Sequence, residues 1–324
     1  MTAMDDVHTT KFKNMRFEDL RFKDELIDDI KNKKELKALD EEFIEKKLSA
    51  FLNFPSNNQS KKNIMEKLKS SKDYKQFRKS KEHDFLIKSL RAELRKIYGV
   101  FMQEDNKKKF ELLANIHPII KFGPSDEDLE AHRELLSLHR STEERLDYYP
   151  FIYEKIFSMI DKEYDGSSGE SSRLVFLDLA CGLNPLSCIY FRERIKKYYA
   201  SDISKDDCDF IREYFAKMNI QAEVFALDLS DEKNLPALEK IKADVCFLFK
   251  TLDSLERSNK GISEKLLKSI DARFIVISFP KVSISGKNTI ALSKRAWLEK
   301  ILDGLFEYEK FEIPQELFYL IKTT

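Results

Sequence analysis

Arg173-Leu-Val-Phe-Leu-Asp-Leu-Ala-Cys-Gly-Leu-Asn-Pro-Leu-Ser187 decides the fold. Its apolar run, Leu174 to Leu179, carries one acid, Asp178, and breaks at Ala180-Cys181-Gly182. Pro185 suits the first turn of a following helix, where its missing N–H costs nothing. A strand, a tight Gly turn and a helix N-terminus together present backbone N–H groups to a nucleotide-like ligand. The acid argues against a phosphate there, because pyrophosphate-binding turns avoid a carboxylate beside the ligand. A positively charged sulfonium-amino acid tolerates or prefers one, which makes S-adenosylmethionine the ligand to expect. An ordinary strand-to-helix turn is the competing reading.

Around this stretch the chain has 324 residues, 42% of them hydrophobic, and 25 Phe, enough to bury a sizeable core. Charge is balanced overall but unevenly spread. Lys61 to Lys109 holds 16 Lys or Arg against 7 Asp or Glu, whereas Ser141 to the end holds 27 against 31. A basic stretch on a neutral chain suits a polyanionic partner, since each cation near a phosphate releases counterions; a solvated helix face is the plainer alternative. Cys181, Cys188, Cys208 and Cys246 form no CxxC pair and lack a His at ligand spacing, so reduced thiols in a cytoplasmic, metal-free protein are expected. No leader-like apolar segment opens the sequence, and no run approaches the ~20 apolar residues of a membrane span.

Before the central stretch the periodicity is helical. Phe22 to Leu52 reads as two helices divided near Asp40, a candidate N-cap; residues 53–62 read as a loop; Ile64 to Tyr74, Asp84 to Phe101, Phe110 to Ile120 and 125–138 read as further helices. Ser141-Thr-Glu-Glu-Arg145 looks like a helix start capped by Ser or Thr, with the helix continuing to Ile160. After it, strands and helices alternate. Strands are expected at Tyr198–Ile203, Ala222 to Ala226 with Asp228 at its end, Val245–Phe249 and Arg273–Ser278, with a late antiparallel pair from Leu305 to Ile313 and Glu316 to Ile321. The expected fold is α/β: a Rossmann-like, mostly parallel sheet over residues 139–324, preceded by an all-helical domain over 1–138.

Asp202 follows the Gly turn by about 20 residues, where a dinucleotide-binding fold places an acid for ribose hydroxyls. Asp228, expected to end the third strand, suits an adenine amino group. Each acid alone is more often a cap or loop residue; Asp178, Asp202 and Asp228 at successive strand ends point to an adenosine-containing ligand.

With these residues on the page, the sequence resembles the aminoglycoside-resistance 16S rRNA guanine-N7 methyltransferases of the FmrO, Sgm, ArmA and Rmt type. The resemblance rests on Leu138-His-Arg-Ser-Thr-Glu-Glu-Arg-Leu146, Asp178-Leu-Ala-Cys-Gly-Leu-Asn-Pro-Leu186, Ala200-Ser-Asp-Ile203, Phe249-Lys-Thr-Leu252, Ser278-Phe-Pro280 and Glu316-Leu-Phe-Tyr-Leu-Ile-Lys322. The Cys-Gly-Leu-Asn-Pro-Leu and His-x-Ser-Thr-x-Glu-Arg runs are the specific ones. It covers roughly Leu26 to Lys322 and is weakest at 55–80, which looks like an insertion. The segment Ser283 to Ile290 departs from the family's pattern on the side that meets the substrate.

The resemblance implies a Rossmann-like S-adenosylmethionine-dependent methyltransferase domain and a helical part that docks on the ribosome. It implies a monomer acting on 16S rRNA in the 30S subunit, in the decoding A site. The donor pocket it implies contains Phe101, His139, Arg140, Ser141, Arg145, Ala180, Gly182, Asp202, Asp228, Leu229, Phe249 and Asn259, with Arg145 pairing the methionine carboxylate. Lys250, Glu256 and Lys287 would hold the target nucleotide, and no residue would serve as general base. The rival readings are a methyltransferase of another RNA or of a protein, and a non-catalytic rRNA-binding assembly factor.

Overall fold

The protein is described from a computed structural model over residues 20–33, 36–37, 39–52, 59–95, 106–118, 123–163, 173–282, 296–303 and 306–323. Its sheet has seven strands: β1 (Leu174–Leu179), β2 (Ile195–Asp202), β3 (Ala222–Ala226), β4 (Lys242–Phe249), β5 (Asp271–Pro280), β6 (Glu307–Ile313) and β7 (Glu316–Lys322). They lie in the order β3-β2-β1-β4-β5-β7-β6. The first five are parallel, and β7 runs antiparallel to β5 and β6. Strand order reverses between β1 and β4, so the carboxyl ends of these strands open a crevice suited to a ligand.

Alternation along the strands explains why they read as nearly continuous apolar runs: the sheet is covered on both faces. Phe176, Tyr198 and Phe247 share one core with Leu113, Leu135, Leu136, Ile156, Phe210 and Tyr214. These belong to α6 (Asn106–Ala114), α7 (Asp126–Ser137), α9 (Tyr149–Glu163) and α10 (Lys205–Lys217). Leu177, Leu179, Cys246 and Leu248 point the other way, against Leu266 and Leu267 of α12 (Ile262–Ser269) and Leu298 and Leu302 of α13 (Ala296–Leu302). Each such side chain, once fully buried, contributes about 1.5–3 kcal/mol.

Two compact units divide the chain, Met1–Gly99 and Val100–Thr324. Leu113 of α6 and Leu135 and Leu136 of α7 lie in the core of the sheet-bearing unit. The first unit contains α1 (Lys23–Lys31), α2 (Glu41–Leu52), α3 (Gln59–Ser70), α4 (Tyr74–Arg78) and α5 (Lys81–Leu94), packed through Ile30, Leu48, Leu68, Phe77, Leu86 and Leu90. Asp29 on α1 ties it together, taking hydrogen bonds from Tyr74 and an ion pair from Arg78.

Several local expectations change. The segment after β1 is a 3-10 helix, Asn184–Tyr190, with Pro185 in its first turn as the sequence suggested. The helix expected from Ser141 breaks in two. A short α8 (Arg140–Glu143) has His139 at its N-cap without a side-chain cap bond, and α9 starts anew at Tyr149. Ser141 is not the cap: it lies inside α8, past the N-cap His139, and its hydroxyl accepts from Arg145. β3 stops at Ala226, leaving Asp228 in the loop beyond it.

Candidate active site

The turn after β1 is built on left-handed backbone, with Ala180 and Gly182 both at φ 50. At Gly182 a side chain would be strained by that φ, and its Cβ would lie 3.0 Å from His139 Nε2. Glycine thus lets the His139 ring lie against the turn. Burial pushes the His139 imidazole down to about 3, so it is neutral near pH 7.

Asp202, at the end of β2, accepts from the Gly182 N–H at 2.9 Å and from the Ser204 N–H at 3.0 Å. Burial first, and the neighbouring Asp207 second, raise its carboxyl to about 6. Asp178 sits deeper. It accepts from Asn184 Nδ2 at 2.8 Å and from the Tyr198 hydroxyl at 2.9 Å, and burial raises it to about 7. Its work is to pin the 3-10 helix onto β1. Asp228 accepts from the backbone and hydroxyl of Ser230 at 2.9 and 2.6 Å, and Asn259 donates to the Ser230 carbonyl at 3.2 Å. With buried Leu229 these residues form one loop cluster beyond β3.

Arg145 is 1% exposed and joins three elements. Its Nε donates to Glu316 at 3.1 Å, one Nη to Asn184 at 2.8 Å and the other to Ser141 at 2.6 Å. The guanidinium also stacks 4.8 Å from the Phe249 ring centre. Lys250, in left-handed backbone at φ 56, donates its N–H to Ser278 and its ammonium to Glu144 at 2.5 Å and Glu316 at 3.2 Å. Arg140 completes the chain through Glu144 at 3.1 Å. Charges thus alternate along Arg140, Glu144, Lys250, Glu316 and Arg145. Burial would raise the Glu316 carboxyl, but Arg145 and Lys250 outweigh it and hold it below the usual value.

The sequence expectation therefore divides. His139, Arg140, Ser141, Arg145, Ala180, Gly182, Asp202 and Phe249 gather around the β1, β2 and β4 ends, with Asp228 and Leu229 on the loop after β3 and Asn259, beyond α11, bonded to that loop through Ser230. Lys250 is near-buried and ion-paired with Glu144 and Glu316. Glu256, on α11 (Leu252–Ser258), accepts from the N–H groups of Gly261 and Ser263 at 2.8 and 3.1 Å and so caps α12. Phe101 and Lys287 lie outside the described residues. Sequence reasoning missed Glu144, Asn184, Ser278 and Glu316 as partners. A lone acid opening the apolar β7 run was the available signal for Glu316.

The profile of the family described as "Ribosomal RNA methyltransferase (FmrO)" matches residues 79–319. This chain belongs to that family. Among rRNA methyltransferases, it is 27% identical over 239 residues to the 16S rRNA (guanine(1405)-N(7))-methyltransferase of Frankia casuarinae, covering 73% of this chain and 79% of that one. It is 34% identical over 192 residues to the enzyme of the same name from Serratia marcescens, covering 59% and 69%. The crystal structure of the 16S rRNA methyltransferase RmtF with S-adenosyl-L-homocysteine shares the fold, with TM-score 0.66 at 24% identity over 93% of this chain and 98% of that one. FmrO-family membership and the crevice at the β1 and β4 ends are independent observations that agree.

Proposed function

We propose that this rRNA methyltransferase moves a methyl group from S-adenosylmethionine to guanine N7 of 16S rRNA in the 30S subunit, at the decoding A site. One observation carries the donor half: a left-handed Gly turn whose N–H is fixed by a buried strand-end carboxylate, Asp202. The names of the relatives supply the acceptor half.

The residues fit such a donor. Asp202 would accept from ribose hydroxyls and Asp228 from the adenine amino group, with Leu229 and Phe249 as apolar walls and Asn259 steadying the loop. Three of the five N–H groups of Arg145 serve Glu316, Asn184 and Ser141, which fixes the fork for a carboxylate on the others. Phe101 completes the pocket in this reading. When bound, the donor supplies an electrophilic methyl group. Guanine N7 has an in-plane lone pair and no proton to lose, so the chain has to align, desolvate and compensate charge; it needs no general base. In this reading Lys250 contributes positive charge at the β4 end, and Lys287 is a second candidate cation for the target nucleotide. No described helix is long and apolar enough to cross a membrane; a monomer acting in the cytoplasm accords with a ribosomal substrate.

Reductive strand cleavage at N7-methylguanine tests the reading on 30S subunits treated with the enzyme and donor. A single new cleavage site in 16S rRNA is expected. Methyl transfer to a protein or another RNA would overturn it, and absence of donor binding would favour an assembly factor.

A further inference from the structure

Lys109 and Asp207 form an ion pair that the donor-site reading does not use. Lys109 lies on α6 and is 0% exposed; Asp207, in the first turn of α10, is 2% exposed. Burying both ions gains little stability over an apolar pair of the same size, because desolvation offsets their attraction. The position of the pair needs another reason. Asp207 donates its N–H to Ser204 Oγ at 3.2 Å, and the Ser204 N–H donates to Asp202 Oδ1 at 3.0 Å. The first turn of α10 is thus wired to the carboxylate that also holds the Gly182 turn.

α6 is fastened to α10 along its length. The Phe110 and Phe210 rings meet edge to face at 5.4 Å, and Lys217 donates to the Leu113 and Ala114 carbonyls at 2.7 Å. The hydrophobic ring contact alone would hold α6 in place; the buried ammonium adds charge at one point. That charge meets Asp207, whose carboxylate raises the Asp202 carboxyl.

We propose that Lys109 is a positioning residue for the methyl donor: by neutralising Asp207 it keeps Asp202 ionised and its loop closed for the ribose hydroxyls. The inference rests on the reading that Asp202 holds the donor. Other titratable groups face this corner. Asp178 comes from β1, Cys181 from the turn, Cys208 from α10, and His139 from the segment before α8 faces Asp207 and Lys109. Cys181 and Cys208 are raised by burial, His139 is neutral, and Asp178, raised to about 7 and facing Arg145, is mostly protonated near pH 6, so Asp207 is the negative neighbour and Lys109 the cation paired with it. A protonated Asp202 would lose its charge-assisted acceptor strength, so donor affinity should fall as pH drops through about 6.

Calorimetric titration of the full chain with S-adenosylhomocysteine between pH 5 and 8.5 tests this. In the wild type the affinity should fall below about pH 6. Lys109→Met should move that midpoint up by about one unit and weaken binding roughly threefold at pH 6.5, approaching tenfold at about pH 5. Asp207→Asn should move it down, and the double variant should return it to the wild-type value or below. A Lys109→Met affinity lowered equally at every pH, or a double variant no better than Lys109→Met, would overturn the proposal. If Lys109→Met does not fold, Asp207→Asn and the double variant decide it: an unmoved midpoint in both refutes it. Asp202→Asn serves as the separate control, because unchanged affinity at pH 7.5 there would refute the donor site itself.

Discussion

Asp202 and Asp178 lie on adjacent strands and differ in what they can give up. Asp202 is held at the turn by backbone N–H donors, among them those of Gly182 and Ser204, and in the proposed reading its remaining acceptor capacity serves the ribose. Asp202→Ala should weaken donor binding by about 1–3 kcal/mol, from lost charge-assisted hydrogen bonds and a loosened Gly182 turn. Calorimetry with S-adenosylmethionine checks this, and wild-type affinity would remove Asp202 from the site. Asp178 is enclosed by Asn184 and Tyr198 and carries a proton more readily in the folded state, at about 7 against the ordinary 3.8. Between those values the folded chain binds more protons than the unfolded one, so this group's contribution makes stability fall as pH rises. Asp178→Asn removes the titration. The wild-type advantage over the variant in urea unfolding should therefore shrink from pH 4.5 to pH 7.5, and an advantage that grows over that range would contradict the assignment.

At the scale of elements, β1, β4, β5 and β7 were legible because each is apolar on both faces, and that pattern survives whatever the loops do. The Gly turn and Asp202 were legible for a similar reason: backbone geometry demands particular residue types at fixed spacing. What could not be read was pairing across the sheet. Glu316 is 171 residues from Arg145, and the lone acid that opens the apolar β7 run marks a special position without saying which cations it meets. Likewise Ser141 has the chemistry of a cap, yet it lies inside α8 and its hydroxyl accepts from Arg145. Glu316→Leu should destabilise the fold by about 3–5 kcal/mol, since it leaves Arg145 and Lys250 buried with too little compensating charge. Denaturant unfolding measures this, and a loss under 1 kcal/mol would mean that the cations find water. Glu256→Ala should cost about 0.5–2 kcal/mol through the uncapped α12 while leaving turnover on 30S subunits near wild type. Abolished turnover with unchanged melting would restore Glu256 as a target-binding residue.

Across the whole molecule, the basic excess of Lys61 to Lys109 falls mainly in the first unit, whereas the sheet-bearing unit is mildly acidic. Lys109 is the exception, being enclosed in the second unit beside Asp207. Removing residues 1–99 should therefore leave S-adenosylhomocysteine binding measurable and abolish methylation of 30S subunits; a normal rate on subunits would end the docking role given to the helices. The chemistry makes a separate demand on the intact enzyme. Donor binding is tied to Asp202, so kcat/KM for the donor should decline below about pH 6. The bound sulfonium is positive and draws nearby carboxyls down, which keeps them ionised once the site is filled. His139 stays neutral far above its pKa of about 3. Guanine N7 offers a lone pair without any deprotonation, so kcat at saturating donor and 30S subunits should be flat from pH 6.5 to 9. An ascending limb of unit slope in kcat would mean that a base must first take a proton from the acceptor. An exocyclic amine or a protein lysine would then fit better than N7, and the alternating ion chain around Lys250 would have to be re-examined as the source of that base.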